Sequence, residues 1–145
     1  MTRAPSLIIA FMLTTITGLF AQEEKVIGTW LNEEETSHIR IFKATNGNYY
    51  GKIEWLKEDP DRLDVNNPEE EKQSKPLLGL IILKDFGYNL DKERWDGGTI
   101  YDPDNGKTYD CFMWFDGDYG ILFIKGYVLG MKFIGRETIW KRVDS

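Results

Sequence analysis

One cysteine, Cys111, and one histidine, His38, are all that the 145 residues hold of the two strongest metal-binding side chains. A zinc site needs three or four convergent ligands, so thiolate and imidazole metal chemistry is excluded. A single cysteine also forbids an internal disulfide, and stability has to come from packing. Acyl transfer through a Ser-His-Asp arrangement would rest on His38 alone, and no serine sits in a nucleophile motif. Both residues read as structural: His38 alternates with Ile39 along a strand and faces solvent or a neighbour, and Cys111 behaves as a small apolar residue. Positive charge is scarce as well, with 18 Lys and Arg against 24 Asp and Glu and a net charge of −6. That balance argues against nucleic acid or an anionic membrane as partner. Amphipathic helical spacing is missing too: apolar residues alternate or run in short blocks broken by Gly, Asn and Asp.

The one long apolar run stands at the start. Arg3 is followed by apolar residues from Leu7 to Phe20 and then by Ala21-Gln22, the three-part layout of a secretory signal peptide over residues 1–21. Thr14, Thr15, Thr17 and Gly18 interrupt the run, which falls short of the roughly 20 apolar residues of a spanning helix. Cleavage removes Arg3 and no acid, so the net charge of −6 becomes −7. The expected mature chain, residues 22–145, has the size of one domain, sits in the periplasm or outside the cell, and has no remaining membrane span.

Eight candidate strands follow, over 25–31, 37–44, 48–56, 79–86, 94–101, 107–115, 119–128 and 131–143. Asn46-Gly47, Asp104-Asn105-Gly106 and Asp116-Gly117-Asp118 supply turn residues that tolerate positive φ, so neighbouring strands should pair antiparallel. A meander of about eight short strands closes into an all-β up-and-down barrel, which removes exposed edges. The segment 57–78 breaks the rhythm. It is long and acidic, and such loops in compact domains are usually functional, a lid over a barrel mouth being one option. It also clusters Asp59, Asp61, Asp64 and Asn66, oxygen donors of the type a calcium ion takes, but without the spacing of an EF-hand loop. No other metal site and no cofactor is expected. Five Trp, seven Tyr and eight Phe exceed what a minimal core of this size requires. They suit a β core, and they also suit an apolar pocket lining.

Three blocks of sequence point to a family. The first joins Gly51-Lys52-Ile53-Glu54-Trp55-Leu56 to Asn67-Pro68 and Lys75-Pro76-Leu77-Leu78-Gly79-Leu80. The second joins Trp95-Asp96-Gly97-Gly98-Thr99-Ile100-Tyr101-Asp102-Pro103 to Gly106-Lys107-Thr108-Tyr109. The third joins Lys125-Gly126-Tyr127 to Gly135-Arg136 and Trp140-Lys141-Arg142. Together they resemble the bacterial exported family designated domain of unknown function 2147, over nearly the whole mature chain. Where that family usually has Arg before Gly-Tyr, this sequence has Lys125, which keeps the charge but not the bidentate geometry. The resemblance implies a lipocalin-like (calycin) barrel and no reaction. Gly28-Thr29-Trp30 is similar to the Gly-x-Trp that opens the first lipocalin strand, where the Trp packs against an Arg near the chain end. Arg136 and Arg142 are the candidates for that partner. Trp30, Arg136 and Trp140 are accordingly assigned to closing the barrel, with the Arg136, Trp140 and Arg142 face of the last strand turned outward.

Two groups of residues carry candidate chemistry. The hairpin from Tyr101-Asp102 to Lys107 and Tyr109 brings a carboxylate, an ammonium and two phenols together, a rim that suits an anionic or hydroxylated ligand. Lys52 and Glu54 share one face of an apolar strand, and an acid there would be perturbed if that face points inward. The leading expectation is a non-enzymatic exported barrel that binds a small apolar or amphipathic molecule, or an envelope component, through Lys52, Trp55, Tyr101 and Tyr109 with the 57–78 loop. The second is an envelope hydrolase or isomerase that uses Glu54, Asp102 or Glu137 beside Lys52 and Lys107. The third is an interaction module that works through its surface.

Overall fold

A computed structural model of the protein describes residues 21–128 and 131–143. The expected signal over residues 1–21 lies outside the described residues except for Ala21. No described helix is long and apolar enough to cross a membrane.

Eight strands, each hydrogen-bonded to its neighbours in sequence order, close into an antiparallel barrel. They are β1 (Gly28–Leu31), β2 (Ser37–Lys43), β3 (Tyr49–Leu56), β4 (Ile81–Asn89), β5 (Arg94–Asp102), β6 (Lys107–Trp114), β7 (Ile121–Val128) and β8 (Met131–Arg142). Seven of the eight match the expected segments to within about two residues at most ends. The eighth, expected over 25–31, splits. Glu24–Val26 forms a 3-10 turn before β1, with Val26 fully buried beneath the barrel. β4 is entered later and runs on to Asn89, because Asp85 takes a positive φ of 62° and a bulge carries the strand past Phe86.

Alternation sets the interior. Trp30, Ile39, Ile41, Tyr49, Leu83, Phe86, Trp95, Met113, Leu122 and Ile124 are essentially inaccessible and form one core with Val26 and Leu77. Burying side chains of this size is the main stabilising term, at about 1.5–3 kcal/mol each. Two glycines make room for the large residues. A Cβ on Gly98 would meet the Phe86 ring and the Lys84 carbonyl at 2.5 Å, and one on Gly51 would meet Leu83 at 2.8 Å.

The 3-10 turn plugs one end of the barrel. The Trp30 indole N–H donates to Val26 O at 3.0 Å, and the Trp95 indole N–H donates to Glu23 O at 3.0 Å. The Glu23 carboxylate accepts from Tyr49 OH at 3.1 Å and from Lys43 Nζ at 2.9 Å. Burial and this carboxylate both hold the Tyr49 phenol well above its ordinary pKa. Phe115 and Tyr119 in the β6–β7 turn complete the plug, with Phe115 packed edge-on against Trp95.

Closure depends on Arg142. Its guanidinium lies over the Trp30 ring, 4.3 Å from the centroid, and donates to Ile27 O at 3.0 Å, Lys25 O at 2.6 Å and Tyr119 O at 3.1 Å. Gly28 is required beside it, since a Cβ there would stand 2.4 Å from Arg142 Nη1. Arg136, the other candidate for this partner, is not part of the closure. Its guanidinium bonds Glu34 at 2.8 Å, and its side chain is 71% exposed. The outward assignment of the Trp140 face is also corrected: Trp140 is buried opposite Leu122 while Ile139 is exposed. Alternation fixes which residues share a face but not which face turns inward, and Arg142 hid the answer by placing a charge on the inner side at the strand's end.

Arg142→Ala is expected to lower unfolding stability by about 2–4 kcal/mol in urea titrations, from the lost cation–π contact and three lost charge-assisted hydrogen bonds. Arg142→Lys should recover less than half of that loss, because one ammonium cannot lie flat on Trp30 and reach three carbonyls.

Candidate functional site

At the end away from the plug, the inner wall is built differently. Across the ladder Gly98 pairs with Cys111, Cys111 with Gly126, and Gly126 with Arg136. One rung further out, Leu83 pairs with Ile100 and Ile100 with Tyr109. Ile100, Tyr109 and Gly126 face inward in step with buried Cys111, yet each is only half-buried. A Cβ on Gly126 would sit 3.4 Å from Ile100 and 3.6 Å from Tyr109 Cβ, which is ordinary contact. The wall here is therefore low and apolar, with the Tyr109 hydroxyl at its rim accepting from Asn105 Nδ2 at 3.0 Å. Beneath it the Cys111 thiol is buried, which pushes its pKa far above the usual range and leaves it inert.

The 57–78 segment is ordered against the β5–β6 hairpin. Asp64 N–H donates to Lys75 O at 2.9 Å and Leu77 N–H to Arg62 O at 2.9 Å, with a bridge between Leu63 and Pro76, so the segment folds back on itself as a strap. Fully buried Leu77 anchors it in the core. Asn66 Nδ2 reaches Pro103 O at 3.0 Å and Asp104 O at 3.2 Å, and Arg62 pairs with Asp104 at 2.8 Å. The fit is close: Gly106, at φ 72°, lies where a Cβ would be 1.9 Å from Asn66 O.

A buried carboxylate fastens the strap. Asp64, 1% exposed, accepts from Tyr101 OH at 2.7 Å and from Asn67 Nδ2 at 2.8 Å. Burial and the adjacent carboxylate push the Tyr101 phenol up to about 12. Tyr101 follows inward-facing Ile100 and so lies on the other face of β5, the outer one. The strap thus clasps the outside of the hairpin whose inner face carries Ile100 and Tyr109.

The remaining sequence candidates do not converge. Trp55 is on the outer wall, 40% exposed and 4.4 Å from the His38 ring. Lys52 and Glu54 are exposed on the same strand, and Glu54 accepts from Thr29 Oγ1 at 3.2 Å. Those three face away from the interior expected of a ligand lining. The bulge between His38 and Ile39, which places Trp55 opposite His38, is a local irregularity that alternation alone misses. Asp102 and Lys107 pair across the hairpin, and Asp102 Oδ1 accepts from Asp104 N at 2.9 Å, a turn-forming bond. Glu137 is exposed on β8 opposite Lys125. Asp59 and Asp61 are exposed, while Asp64 turns away to Tyr101 and Asn67. Among the described residues no group of three or more His, Cys, Asp or Glu is placed to hold a metal ion. Gly126, Ile100 and Asn67 were not singled out by residue type, and Asp64 was singled out only as an oxygen donor of the acidic cluster. Their signal lay in the sequence blocks themselves, since Asn67-Pro68, Tyr101-Asp102-Pro103 and Gly106-Lys107 all meet at the strap.

The model of a protein family described as uncharacterized and conserved in bacteria (DUF2147) matches residues 28–142. The chain belongs to that family. A solved structure described as protein HP1028 from the human pathogen Helicobacter pylori, of the lipocalin family, is similar to this chain. The two share 22% sequence identity over 83% of this chain and 84% of that one, with a TM-score of 0.73. At that identity the likeness shows the fold, and the fold of this DUF2147 member is lipocalin-like. No curated protein matches the sequence.

Tyr101 must stay protonated to donate to Asp64. With a folded pKa of about 12 against an ordinary 10.0, its contribution is complete below pH 10 and is lost as pH rises through 12. Amide exchange of the 62–77 segment should accelerate over that window, ahead of the rest of the barrel. In Tyr101→Phe the segment should exchange faster already at neutral pH and show no such rise.

Proposed function

We propose that this DUF2147 protein is an exported, non-enzymatic carrier or sensor that seats a small apolar or amphipathic molecule on the inner wall at the strap end. One observation carries the reading. Inward positions are sealed at the plugged end, yet Ile100, Tyr109 and Gly126 stay half-exposed at the other. An apolar wall with one hydroxyl at its rim suits a ligand with an apolar body and a polar end. The interior below is filled by Phe86, Met113 and Ile124, so the seat is shallow. It takes part of a molecule rather than engulfing it.

Export is supported by the signal pattern. Gln22 accepts from Tyr119 OH at 3.2 Å and Glu23 anchors the plug, directly after the expected cut at Ala21. The carboxylates available to a hydrolase sit on the outer wall, in a turn or on β8, without a shared cleft.

Native mass spectrometry of the protein purified from its own cell envelope is expected to show a retained non-covalent mass. Gly126→Phe should fill the seat, remove that mass and weaken Nile red binding at least tenfold, about 1.4 kcal/mol, while leaving circular dichroism unchanged. Equal retention by the wild type and Gly126→Phe would rule out this seat.

A further inference from the structure

β1 is four residues long and β8 twelve, and they pair only at Trp30 with Arg142 and Leu31 with Lys141. Direction along β8 is fixed by two bonds. Val143 N–H donates to Thr29 O across the seam, whereas Arg142 N–H donates to Gly120 O on the opposite side. Odd-numbered residues of β8 therefore address the seam. Lys141 is the last of these that β1 reaches, and the peptide groups of Gly135 and Glu137 face the seam with no strand opposite them among the described residues. Gly135, Arg136, Glu137 and Ile139 are all exposed.

What stands in for the missing strand is the acidic β1–β2 turn. Glu33 Oε1 accepts the seam-facing N–H of Ile139 at 3.3 Å, and Glu34 Oε1 accepts from Arg136 Nη2 at 2.8 Å. One carboxylate replaces a strand carbonyl, and the other neutralises the cation beside it. The turn is exposed from Glu33 to Thr36, and Glu35 takes a positive φ of 58°. An unpaired edge shielded by nearby charges is how sheets resist random pairing. The same edge is open to any segment that supplies a carbonyl for Ile139 and a carboxylate for Arg136.

We infer that the β8 edge from Gly135 to Ile139 is a strand-addition site for an extended, acidic peptide segment of a partner protein, with Glu33 and Glu34 as its built-in competitor. Main-chain bonds to Gly135, Glu137 and Ile139 supply affinity, and Arg136 supplies the preference for an acidic side chain. The site lies at the seam, on the far side of β8 from β7, where Arg136 is the ladder partner of Gly126.

The probe is a short N-acetylated, C-amidated alternating valine–glutamate peptide, compared with its valine–lysine counterpart. In heteronuclear NMR titrations the acidic peptide should shift and protect the amides of Gly135, Glu137 and Ile139 and release those of the 33–36 turn. The double variant Glu33→Ala/Glu34→Ala should bind it about tenfold more tightly, and Arg136→Ala should bind both peptides alike. Glu137→Pro, which removes one seam-facing N–H, should weaken binding without altering the Arg136 preference. Shifts elsewhere, no binding to the double variant, or equal binding of the two peptides by the wild type would overturn the inference. Concentration-dependent dimerisation of the double variant without peptide would overturn it too, by making a second copy of the chain the occupant.

Discussion

Closing eight strands on a seam of two residue pairs is the constraint that the rest of the molecule answers to. So short a ladder cannot hold first and last strands together through main-chain bonds alone, since a hydrogen bond nets only about 0.5–1.5 kcal/mol. Arg142 supplies what is missing. Its fork gathers carbonyls from the segment before β1 and from the β6–β7 turn while its plane rests on Trp30. Partial burial lowers its pKa from the ordinary arginine value, but that value is so high that the charge persists at any working pH. Gly28 and Trp30 then follow from Arg142, one making room and the other a surface. The Gly-x-Trp pattern is the imprint of a half-buried guanidinium laid on an indole.

The plug fills one end of the barrel. With Val26, Trp30, Tyr49 and Trp95 packed there, the interior is solid at that end, and the half-buried inward residues Ile100, Tyr109 and Gly126 lie toward the strap end. The strap acts on that end indirectly. Asp64 holds Tyr101 on the outside of the β5–β6 hairpin, which fixes the strand that presents Ile100 and the neighbour that presents Tyr109 on the inside. A buried carboxylate held by two neutral donors is costly to desolvate. It is tolerated here because both its oxygens are satisfied and because it positions a whole hairpin.

Much of the fold was legible because its signals are local. Asn46-Gly47 and Asp104-Asn105-Gly106 mark hairpins by the positive φ they allow, and strand alternation marks the segments between. Two kinds of information were not. The sign of alternation was lost in β8, where Trp140 is interior although it shares its face with two arginines, and in β3, where a bulge turns Trp55 onto the outer wall. Long-range partnership was lost as well. Nothing near Asp64 in sequence announces Tyr101, 37 residues away, so the acidic cluster read as a possible cation site rather than a hydrogen-bonded lock. The hairpin residues Asp102 and Lys107 stand opposite each other in the ladder, where the Asp102 carboxylate serves the turn. Of the residues at the proposed inner seat, Tyr109 was among the sequence candidates because an aromatic at a strand opening stands out. Gly126 was not, since a glycine matters there only through what faces it.

The short first strand links these features. Had β1 extended to match β8, Gly135 and Glu137 would be paired, and the β1–β2 turn would be carried up past the level at which Glu33 meets Ile139. Truncating β1 at Leu31 instead leaves the barrel wall incomplete on one side, and the chain meets the exposed edge with carboxylates rather than with backbone. Carboxylates are a reversible cover: each bond they make is exposed, screened by salt and singly replaceable, whereas a β ladder is lost only cooperatively. The plug end shows the opposite choice, with Glu23 sharing its carboxylate between a buried phenol and a lysine under fully packed aromatics. One end of this barrel is built to stay shut, and the seam above Leu31 is built so that its cover can be exchanged.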